Sequence, residues 1–570
     1  MVLDALRYAS AFVRQGLAPL WRQRAGELTL AALLERHARR TPEAAALEVS
    51  GERLSYRELW RSSGAALAEL QRLDAQPGDV VALVGRNSLG YVAALLGAAR
   101  SDITLALVHP ELSGEPLRQA LEVATARFVL CENELAPALR DVAPELPLAS
   151  FDAEAREPFR GEPALVGPAR GEHDFALVYT SGTTGLPKAC RVPHSRVLAA
   201  ACLFGAPLFD FRAGDKLLCP LPLYHGSPLM LGLGTCLVTG TPLVLERRFS
   251  ASQLLKVAAE SGATALLYVG DLGRMLLATA QSAHDRRHAL RVAVGNGMAT
   301  DVWPRFQERF GISQVREFYA ATESPVGILN LSGRVGSVGN LPYAWMFGLK
   351  LARLDDEGEL LRSANGRLVE CGPDEAGELL VRARQSGVGV YHGYVDVAAS
   401  EARLVRDAFE PGDALFRTHD VLRRDRDGYY YFVERGGDSY RFRGENVAVA
   451  SVERELLTLP HVREAVVVGV KVPGEDGRAG LAALVADAGF DVATVASLAG
   501  RLPRSALPRF ISLRSELPRT PSLKLQRRAL ASAGFDPELC PGPVWLLDGA
   551  RYRLLDAEAH RDIGSGKLRL

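Results

Sequence analysis

Short apolar runs alternate with segments of helical periodicity from residue 28 onwards. Leu28–Arg40 has the helical pattern, Ala45–Val49 is a short apolar run, Tyr56–Leu73 is helical again, and Val80–Val84 precedes the helical Gly90–Ala99. Similar apolar runs recur at Arg127–Cys131, Phe175–Tyr179, Lys216–Leu221, Pro242–Leu245, Ala265–Val269 and Val292–Gly295. Because such alternation forms parallel βαβ units, the pattern predicts a large α/β region with doubly wound sheets.

The pattern changes beyond residue 340, where shorter strands and turns are predicted, such as Gly377–Arg382 and Gly428–Val433. The adjacent Gly436 and Gly437 that follow would relax the backbone as a hinge requires. We therefore predict an N-terminal domain over 1–434, a hinge over 435–437 and a small α+β lid domain over 438–570. The lid is predicted to contain a helix, two strands, a helix and then basic turns, at Val452–Leu459, Ala465–Val470, Leu481–Ala486 and Val492–Arg501.

The composition is that of a globular protein, with 570 residues of which 48% are hydrophobic and 24% charged. Lysine plus arginine (67) equals aspartate plus glutamate (67), so no overall charge favours nucleic acid or an anionic membrane. The seven cysteines lack zinc spacing, and no apolar stretch reaches the roughly 18 residues that span a bilayer. Asp4 and Arg7 interrupt the N-terminus too early for a signal peptide, so reduced thiols and a cytoplasmic location are predicted.

Residues 1–25 are amphipathic and basic, with Leu6 and Phe12 on one side and Arg7 and Arg14 on the other. Such a segment either rests on a membrane surface or forms a helix docked on the protein. Both interpretations stay open at this stage.

A glycine- and hydroxyl-rich turn, Tyr179–Lys188, directly follows an apolar strand. Glycines let backbone amides approach phosphate oxygens, hydroxyls donate hydrogen bonds, and the lysine adds positive charge. The lysine is neither preceded by glycine nor followed by Ser or Thr, so this is not the loop of P-loop NTPases. The predicted polyphosphate ligands are Thr180, Ser181, Gly182, Thr183, Thr184, Gly185 and Lys188.

With this turn in place, the chain resembles the ANL superfamily of adenylating enzymes from about residue 28 to its end. Within it, the chain looks most like the branch of fatty acid transport proteins and very-long-chain acyl-CoA synthetases. The strings that carry the resemblance are Leu221–His225, Arg248–Ser252, Gly295–Gly297, Glu317–Glu323, Gly437–Val447 and Gly566–Leu570.

The resemblance implies a nucleotide site around the Glu317–Glu323 string. Thr322 would contact the α-phosphate, Glu323 would help to hold Mg²⁺, and Tyr319 would stack on adenine. The wall beside the adenine would consist of Gly295, Asn296 and Gly297.

It also implies roles for residues further along the chain. Asp420 would accept hydrogen bonds from both ribose hydroxyls, and Arg435 would donate to the same sugar. Lys524 would neutralise charge on the reacting oxygens as pyrophosphate leaves. His225 would shape the mouth of the acid pocket, although a buried histidine that serves packing is the alternative.

The chain departs from the family where glycines are usual, at Ala320, Ser324 and His419. Added side chains at tight positions narrow the space near the reacting carboxylate, which argues against a plain long-chain fatty acid. His419 either places a titratable group near the phosphates or lies in a solvent-facing turn. Gly270 is assigned to the same acid pocket.

The resemblance implies an AMP-forming acid ligase that uses ATP, Mg²⁺ and coenzyme A. The acid would first form an acyl-adenylate, and the lid would then turn so that the coenzyme A thiol could attack. The alternative is a specialised-metabolism ligase that loads a carrier protein or activates nitrite for diazotisation of an arylamine. A transporter or membrane-associated binding protein is a third interpretation, and a homodimer is an expected assembly.

Overall fold

The computed structural model describes residues 8–10, 28–164, 169–181, 187–341, 347–355, 359–386, 389–435, 439–442, 445–473, 478–502, 504–519, 525–565 and 567–568. The chain divides into two compact units. The first contains the described residues up to Thr418 together with Arg423–Tyr431. The second contains His419–Leu422 and the described residues from Phe432 onwards. Gly436 and Gly437 lie outside the described residues, so the hinge stays a prediction.

The strands as far as Arg435 belong to mixed sheets. In chain order they are β1 Ala45–Val49, β2 Glu52–Ser55, β3 Val80–Val84, β4 Thr104–Val108, β5 Phe128–Glu132, β6 Leu148–Phe151, β7 Asp174–Ser181, β8 Pro187–Pro193, β9 Leu217–Cys219, β10 Leu243–Leu245, β11 Ala265–Val269, β12 Val292–Asn296, β13 Gln314–Tyr319, β14 Ile328–Asn330, β15 Gly339–Asn340, β16 Leu349–Ala352, β17 Ala376–Arg382, β18 Leu404–Arg406, β19 Ala414–Arg424 and β20 Tyr429–Arg435.

Among the described residues these strands form a six-stranded sheet, ordered β6-β5-β3-β4-β7-β8, and a fourteen-stranded sheet. The larger sheet is ordered β16-β17-β19-β20-β15-β14-β13-β12-β11-β9-β10-β1-β2, with β18 beside β19. Neighbours from β9 to β13 are parallel, whereas β13 and β14 are antiparallel. The predicted α/β class with mixed and parallel sheets is thereby confirmed.

Helices pack on these sheets over the apolar faces that the sequence pattern predicted. In the first unit they are Leu30–Arg40, Tyr56–Arg72, Leu89–Ala98, Gly114–Val123, Ala136–Val142, His194–Ala200, Ala206–Phe209, Thr235–Thr239, Leu254–Ser261, Gly270–Ala278, Val302–Phe310 and Val397–Glu401. Short 3₁₀ turns lie at Asn133–Leu135 and Ala283–Asp285, and π-helical turns at Ala201–Gly205 and Pro228–Gly234.

The start of the helix Tyr56–Arg72 shows how local sequence fixes a boundary. The Ser55 hydroxyl accepts from the Glu58 amide while the Glu58 carboxylate accepts from the Ser55 amide, which is a capping box. This helix lies so close to Leu89–Ala98 that a Cβ on Gly97 would be 2.7 Å from the Ser63 carbonyl oxygen. The close crossing leaves Leu89–Ala98 buried on every side.

The second unit has its own sheet and core. Its strands are β21 Ser439–Phe442, β22 Glu445–Ala448, β23 Val462–Val470, β24 Ala479–Ala486, β25 Phe510–Arg514, β26 Val544–Asp548 and β27 Arg551–Leu554, and its helices are Val449–Leu456, Arg527–Ala533 and Ala557–Gly564. Strands β23 to β27 form one sheet in chain order, while β21 pairs with β22.

Part of the lid prediction was wrong. The helix predicted over Val492–Arg501 is a 3₁₀ segment, Val492–Gly500. The region after it, which was predicted to be basic turns, contains β25 to β27 and the helices Arg527–Ala533 and Ala557–Gly564. The strands β25 and β27 are short and carry arginines at exposed or half-buried positions, so their hydrophobic periodicity is weak.

In the part of the chain that the structure describes, no helix is long and apolar enough to cross a membrane. The amphipathic segment 1–25 lies outside the described residues apart from 8–10. All seven cysteines are buried free thiols.

Candidate active site

The predicted phosphate loop lies between two antiparallel strands. Thr180 near the end of β7 pairs with Lys188 at the start of β8, so the two ends of the loop lie side by side. The Lys188 Nζ atom is 5.5 Å from the centre of the Tyr394 ring. Gly182, Thr183, Thr184 and Gly185 lie outside the described residues, as does the side chain of Ser181.

The segment after β13 carries Thr322 and Glu323, and Tyr319 is buried at the end of that strand. A Cβ on Gly226 would lie 2.5 Å from the Thr322 hydroxyl, so the backbone after His225 runs directly against Thr322. His225 packs edge-on against the Tyr224 ring, at a centroid distance of 4.6 Å. The structure thus brings together the predicted α-phosphate contact and the predicted acid-pocket histidine segment.

The buried carboxylate of Glu323 is held by side chains from a distant segment. Its Oε1 atom accepts from the Tyr394 hydroxyl and from Arg403 Nη2, both at 3.2 Å. On the next residue, Arg196 Nη2 donates to the Ser324 carbonyl at 2.6 Å. The two hydrogen bonds to Oε1 therefore fix the orientation of the Glu323 carboxylate.

The surroundings of Glu323 fit Mg²⁺ if this residue is the single carboxylate ligand of the ion. Among the described residues no group of three or more His, Cys, Asp or Glu side chains could hold a metal ion. Mg²⁺ commonly takes one or two carboxylates and completes its coordination with substrate phosphates and water. The hydrogen bonds to Glu323 use Oε1, so Oε2 can supply that single carboxylate ligand.

The predicted adenine wall consists of closely packed backbone. A Cβ on Gly295 would lie 2.4 Å from the Tyr268 carbonyl oxygen. Gly270, which was predicted to line the acid pocket, lies against this wall, since a Cβ on it would be 1.8 Å from the Gly297 carbonyl oxygen. Gly297 also has a φ of +83°, which L side chains rarely adopt. Asn296 ends β12 between Gly295 and Gly297, and a Cβ on Gly297 would meet nothing within 4 Å, so the tight packing is at Gly295 and Gly270.

Glu317 anchors this wall from the neighbouring strand. Its Oε1 atom accepts from the Met298 amide at 2.6 Å and from the Tyr268 hydroxyl at 2.9 Å, while Oε2 accepts from the Gly297 amide at 3.2 Å. Burial raises the pKa of this carboxyl to about 7, although the same hydrogen bonds act in the opposite direction. The wall therefore depends on a buried acid that no sequence argument had singled out.

The predicted ribose ligand Asp420 is buried within β19. The preceding His419 has a φ of +57°, in the left-handed region that favours glycine. The family that the chain resembles usually has glycine at this position, so the histidine places a side chain on a backbone conformation that glycine adopts more readily. Arg435 ends β20, but its side chain and all of Lys524 lie outside the described residues.

The departures at Ala320 and Ser324 have different surroundings. Ala320 is exposed, and its Cβ lies 3.3 Å from the place that a Cβ on Gly327 would occupy. Ser324 is buried, and its hydroxyl donates to the Val326 carbonyl at 2.8 Å within the same turn. Any narrowing of the acid pocket would therefore come from Ala320 rather than from the Ser324 hydroxyl.

Sequence reasoning missed the partners of the recognised residues. Tyr394 and Arg403 lie 71 and 80 residues from Glu323 along the chain, and Arg196 lies 128 residues from Ser324. No local signal marks Arg196, because Arg191 lies nearer to the phosphate loop in the sequence. The fold and the predicted site residues that the structure describes are those expected of a nucleotide-dependent, adenylate-forming class of enzyme.

Comparisons with known proteins identify the family. The AMP-binding enzyme family matches residues 34–395, and its C-terminal domain matches 451–524. The chain is 34% identical to long-chain fatty acid transport protein 1 of Mus musculus, over 98% of this chain and 91% of that protein. It is 32% identical to the medium/long-chain-fatty-acid–CoA ligase FadD6 of Mycobacterium tuberculosis, over 88% of this chain and 85% of that protein.

Solved structures share the fold. ATP-bound MatB from Rhodopseudomonas palustris superposes with a TM-score of 0.75 at 23% identity, covering 89% of this chain and 99% of that one. O-succinylbenzoate coenzyme A synthetase (MenE) from Bacillus subtilis, in complex with AMP, gives 0.72 at 24% identity, covering 87% and 97%. The chain belongs to the AMP-binding enzyme family. At the level of the family, the predicted AMP-forming acid:CoA ligase is confirmed. The specialised-metabolism alternative, carrier-protein loading or diazotisation, is not favoured.

Proposed function

We propose that this chain activates a fatty acid with ATP and transfers the acyl group to coenzyme A. The observation that carries the proposal is the contact between Thr322 and the backbone at Gly226. Gly226 leads into Pro228–Gly234, a π-helical turn whose residues are apolar and all buried. A carboxylate beside Thr322 would therefore have its hydrocarbon tail next to an apolar wall, which supports an acid of the fatty-acid class.

A second π-helical turn, Ala201–Gly205, contributes to the same region. A Cβ on Gly205 would lie 1.9 Å from the hydroxyl of Thr235, the residue after the first turn. A Cβ on Gly234, within that turn, would lie 3.6 Å from the Ala201 Cβ, so the two turns are in contact. The Phe204 ring lies near Gly327, 3.1 Å from the position of a Cβ there. Helical turns of the π type are rare overall, and those that occur are often at functional sites. The two turns therefore support an apolar acid-binding region.

The chemistry follows from the predicted roles of the chain's own groups. A carboxylate oxygen of the acid attacks the α-phosphorus of ATP, and the bond to the β-phosphate oxygen breaks with its electron pair leaving on pyrophosphate. Thr322 donates to the α-phosphate, and Lys524 offsets the charge that builds on the reacting oxygens. The coenzyme A thiol then attacks the acyl carbonyl, so that AMP leaves.

The remaining predicted ligands hold the nucleotide. Asp420 and Arg435 bind the ribose, while Tyr319 and the Gly295–Gly297 wall enclose the adenine. Mg²⁺ at Glu323 would offset negative charge on the phosphate oxygens. A rotation of the lid about residues 435–437 would let the same site carry out the second half-reaction.

A screen of pyrophosphate release tests the proposal. The purified chain is assayed with ATP and Mg²⁺ over fatty acids of increasing length, aryl acids and amino-aryl acids, with and without coenzyme A. A further arm contains nitrite and an arylamine. We expect release with fatty acids and thioester formation only with coenzyme A. Release that needs nitrite and an arylamine, with no carboxylic acid supporting it, would contradict the proposal.

A further inference from the structure

Positive side chains surround Glu323 in the first unit. Arg403 contacts Glu323 directly, and Arg196 contacts the Ser324 carbonyl beside it. Lys188 lies against the ring of Tyr394, whose hydroxyl also reaches Glu323. Glu323 is thus the carboxylate that faces this group of cations.

The guanidinium groups of Arg196 and Arg403 each keep one nitrogen that makes no hydrogen bond to the described residues. The Nε atoms of Arg196 and Arg403 are buried and have no hydrogen-bond partner among the described residues. Burial lowers the pKa of Arg196, with Glu323 acting in the opposite direction. Buried donors without partners are rare in native proteins, and at a site they point to a missing ligand.

Two other partly buried arginines of the chain have a carboxylate of their own. Arg417 forms a two-pronged pair with Glu378, at 3.1 and 2.7 Å, and Arg309 pairs with Asp285 at 2.8 Å. In the described structure Arg403 shares Glu323 with Tyr394, and Arg196 makes its hydrogen bond to a neutral carbonyl. A buried charge is costly without a counter-charge, so an anionic ligand would compensate the excess.

The neighbouring histidine does not alter this balance near neutral pH. Burial, with Arg196 and Arg191 nearby, lowers the pKa of His392 to about 4. His392 is therefore neutral at pH 7 and adds no positive charge.

We propose that Arg196 and Arg403 form a subsite for the terminal phosphates of ATP and for the inorganic pyrophosphate that adenylation releases. The subsite rests on the proposed function, because it assumes that ATP phosphates bind between Lys188 and Glu323. Arginine suits this role because its planar group presents paired donors to phosphate oxygens. When the bond between the α-phosphorus and the β-phosphate oxygen breaks, the guanidinium groups stabilise the charge that develops on pyrophosphate.

The test compares two ligands in the same variants. Inorganic pyrophosphate with Mg²⁺, and AMP alone, are titrated calorimetrically into the wild type and into Arg196→Gln, Arg403→Gln and Arg403→Lys. The matched control is Arg309→Gln, because the side chains of Arg309 and Asp285 are 14% and 12% exposed, against 16% and 11% for Arg403 and Glu323. Melting temperatures are measured for each protein.

We expect each glutamine variant to weaken pyrophosphate binding by about tenfold or more while AMP affinity changes little, since AMP lacks the terminal phosphates. Arg403→Lys should recover part of the loss because it keeps the charge. The control should lower the melting temperature without changing the ratio of the two affinities. If Arg403→Gln does not fold, Arg196→Gln and Arg403→Lys still give the ratio of pyrophosphate affinity to AMP affinity.

Unchanged pyrophosphate affinity in Arg196→Gln and Arg403→Gln would overturn the subsite, as would an equal loss of AMP and pyrophosphate binding. A wild-type protein that binds neither pyrophosphate nor AMP would instead overturn the proposed function. The two failures are therefore distinguishable.

Discussion

Glu317 Oε1 lies 2.6 Å from the backbone nitrogen of Met298, so a buried acid on β13 holds the turn that follows β12. The same carboxylate accepts from the Gly297 amide through Oε2. A proton on Oε2 would weaken that acceptor. The conformation of the proposed adenine wall is thereby linked to one side chain.

The first prediction concerns the pH dependence of stability. The pKa of Glu317 is raised to about 7 in the folded protein, above its ordinary value, so the folded state binds a proton more tightly than the unfolded state does. This contribution favours folding at low pH and is lost as the pH rises through about 7. Glu317→Gln lacks it, so the melting temperature of the variant minus that of the wild type should increase from pH 6 to pH 8.5. A difference that is constant or falls would contradict the assignment.

The second prediction tests the close approach at the glycine wall. Gly270→Ala would place a Cβ 1.8 Å from the Gly297 carbonyl oxygen, which forces the backbone to move. We expect kcat/KM for ATP to fall by about tenfold or more. The control is Gly273→Ala in the same helix, whose nearest neighbour would be the flexible end of Met298 at 3.2 Å. Equal effects of both substitutions would show that the wall does not serve nucleotide binding.

The third prediction concerns His419, whose φ of +57° strains a side chain that glycine would not carry. The left-handed conformation costs a non-glycine residue about 1–2 kcal/mol, while glycine costs about 0.5–1 kcal/mol in chain entropy. His419→Gly should therefore stabilise the protein slightly, by about 0.5–1 kcal/mol, measured by denaturant unfolding. His419→Ala keeps the strain and should give no gain. A gain of the same size in both variants would point to the imidazole rather than to the backbone.

The fourth prediction separates the half-reactions through Lys524, whose role rests on the family resemblance. Its charge is needed while pyrophosphate departs, and losing such a group costs about a hundredfold to a thousandfold in rate. Lys524→Ala should fail with ATP plus acid but should still convert supplied acyl-adenylate and coenzyme A to the thioester. Comparable losses in both assays would argue against a lid that turns Lys524 away between steps.

The parts of the fold that the sequence predicted well are those with local signals. Ala45–Val49, Val80–Val84 and Ala265–Val269 have the predicted bounds, because short apolar runs between turns define buried parallel strands. The π-helical turn at Pro228–Gly234 was not predicted, because its uniformly apolar sequence has no periodicity that distinguishes it from another buried segment.

For the site too, the sequence predicted the features that have a local signal and missed those that do not. The Thr322–Glu323 turn was found because its residues are contiguous in the sequence. Arg196 and Arg403 were missed as partners because their contacts, to Ser324 and Glu323 respectively, join segments that only the three-dimensional packing brings together.

The most direct measurement for the central claim follows oxygen atoms through the reaction. A fatty acid labelled with ¹⁸O in both carboxylate oxygens is incubated with the chain, ATP, Mg²⁺ and coenzyme A, and the products are analysed by mass spectrometry. If the carboxylate attacks the α-phosphorus, one labelled oxygen remains on AMP when the thiol displaces it, and pyrophosphate carries none. Label in pyrophosphate or inorganic phosphate, or thioester formation with unlabelled AMP, would contradict an acyl-adenylate intermediate.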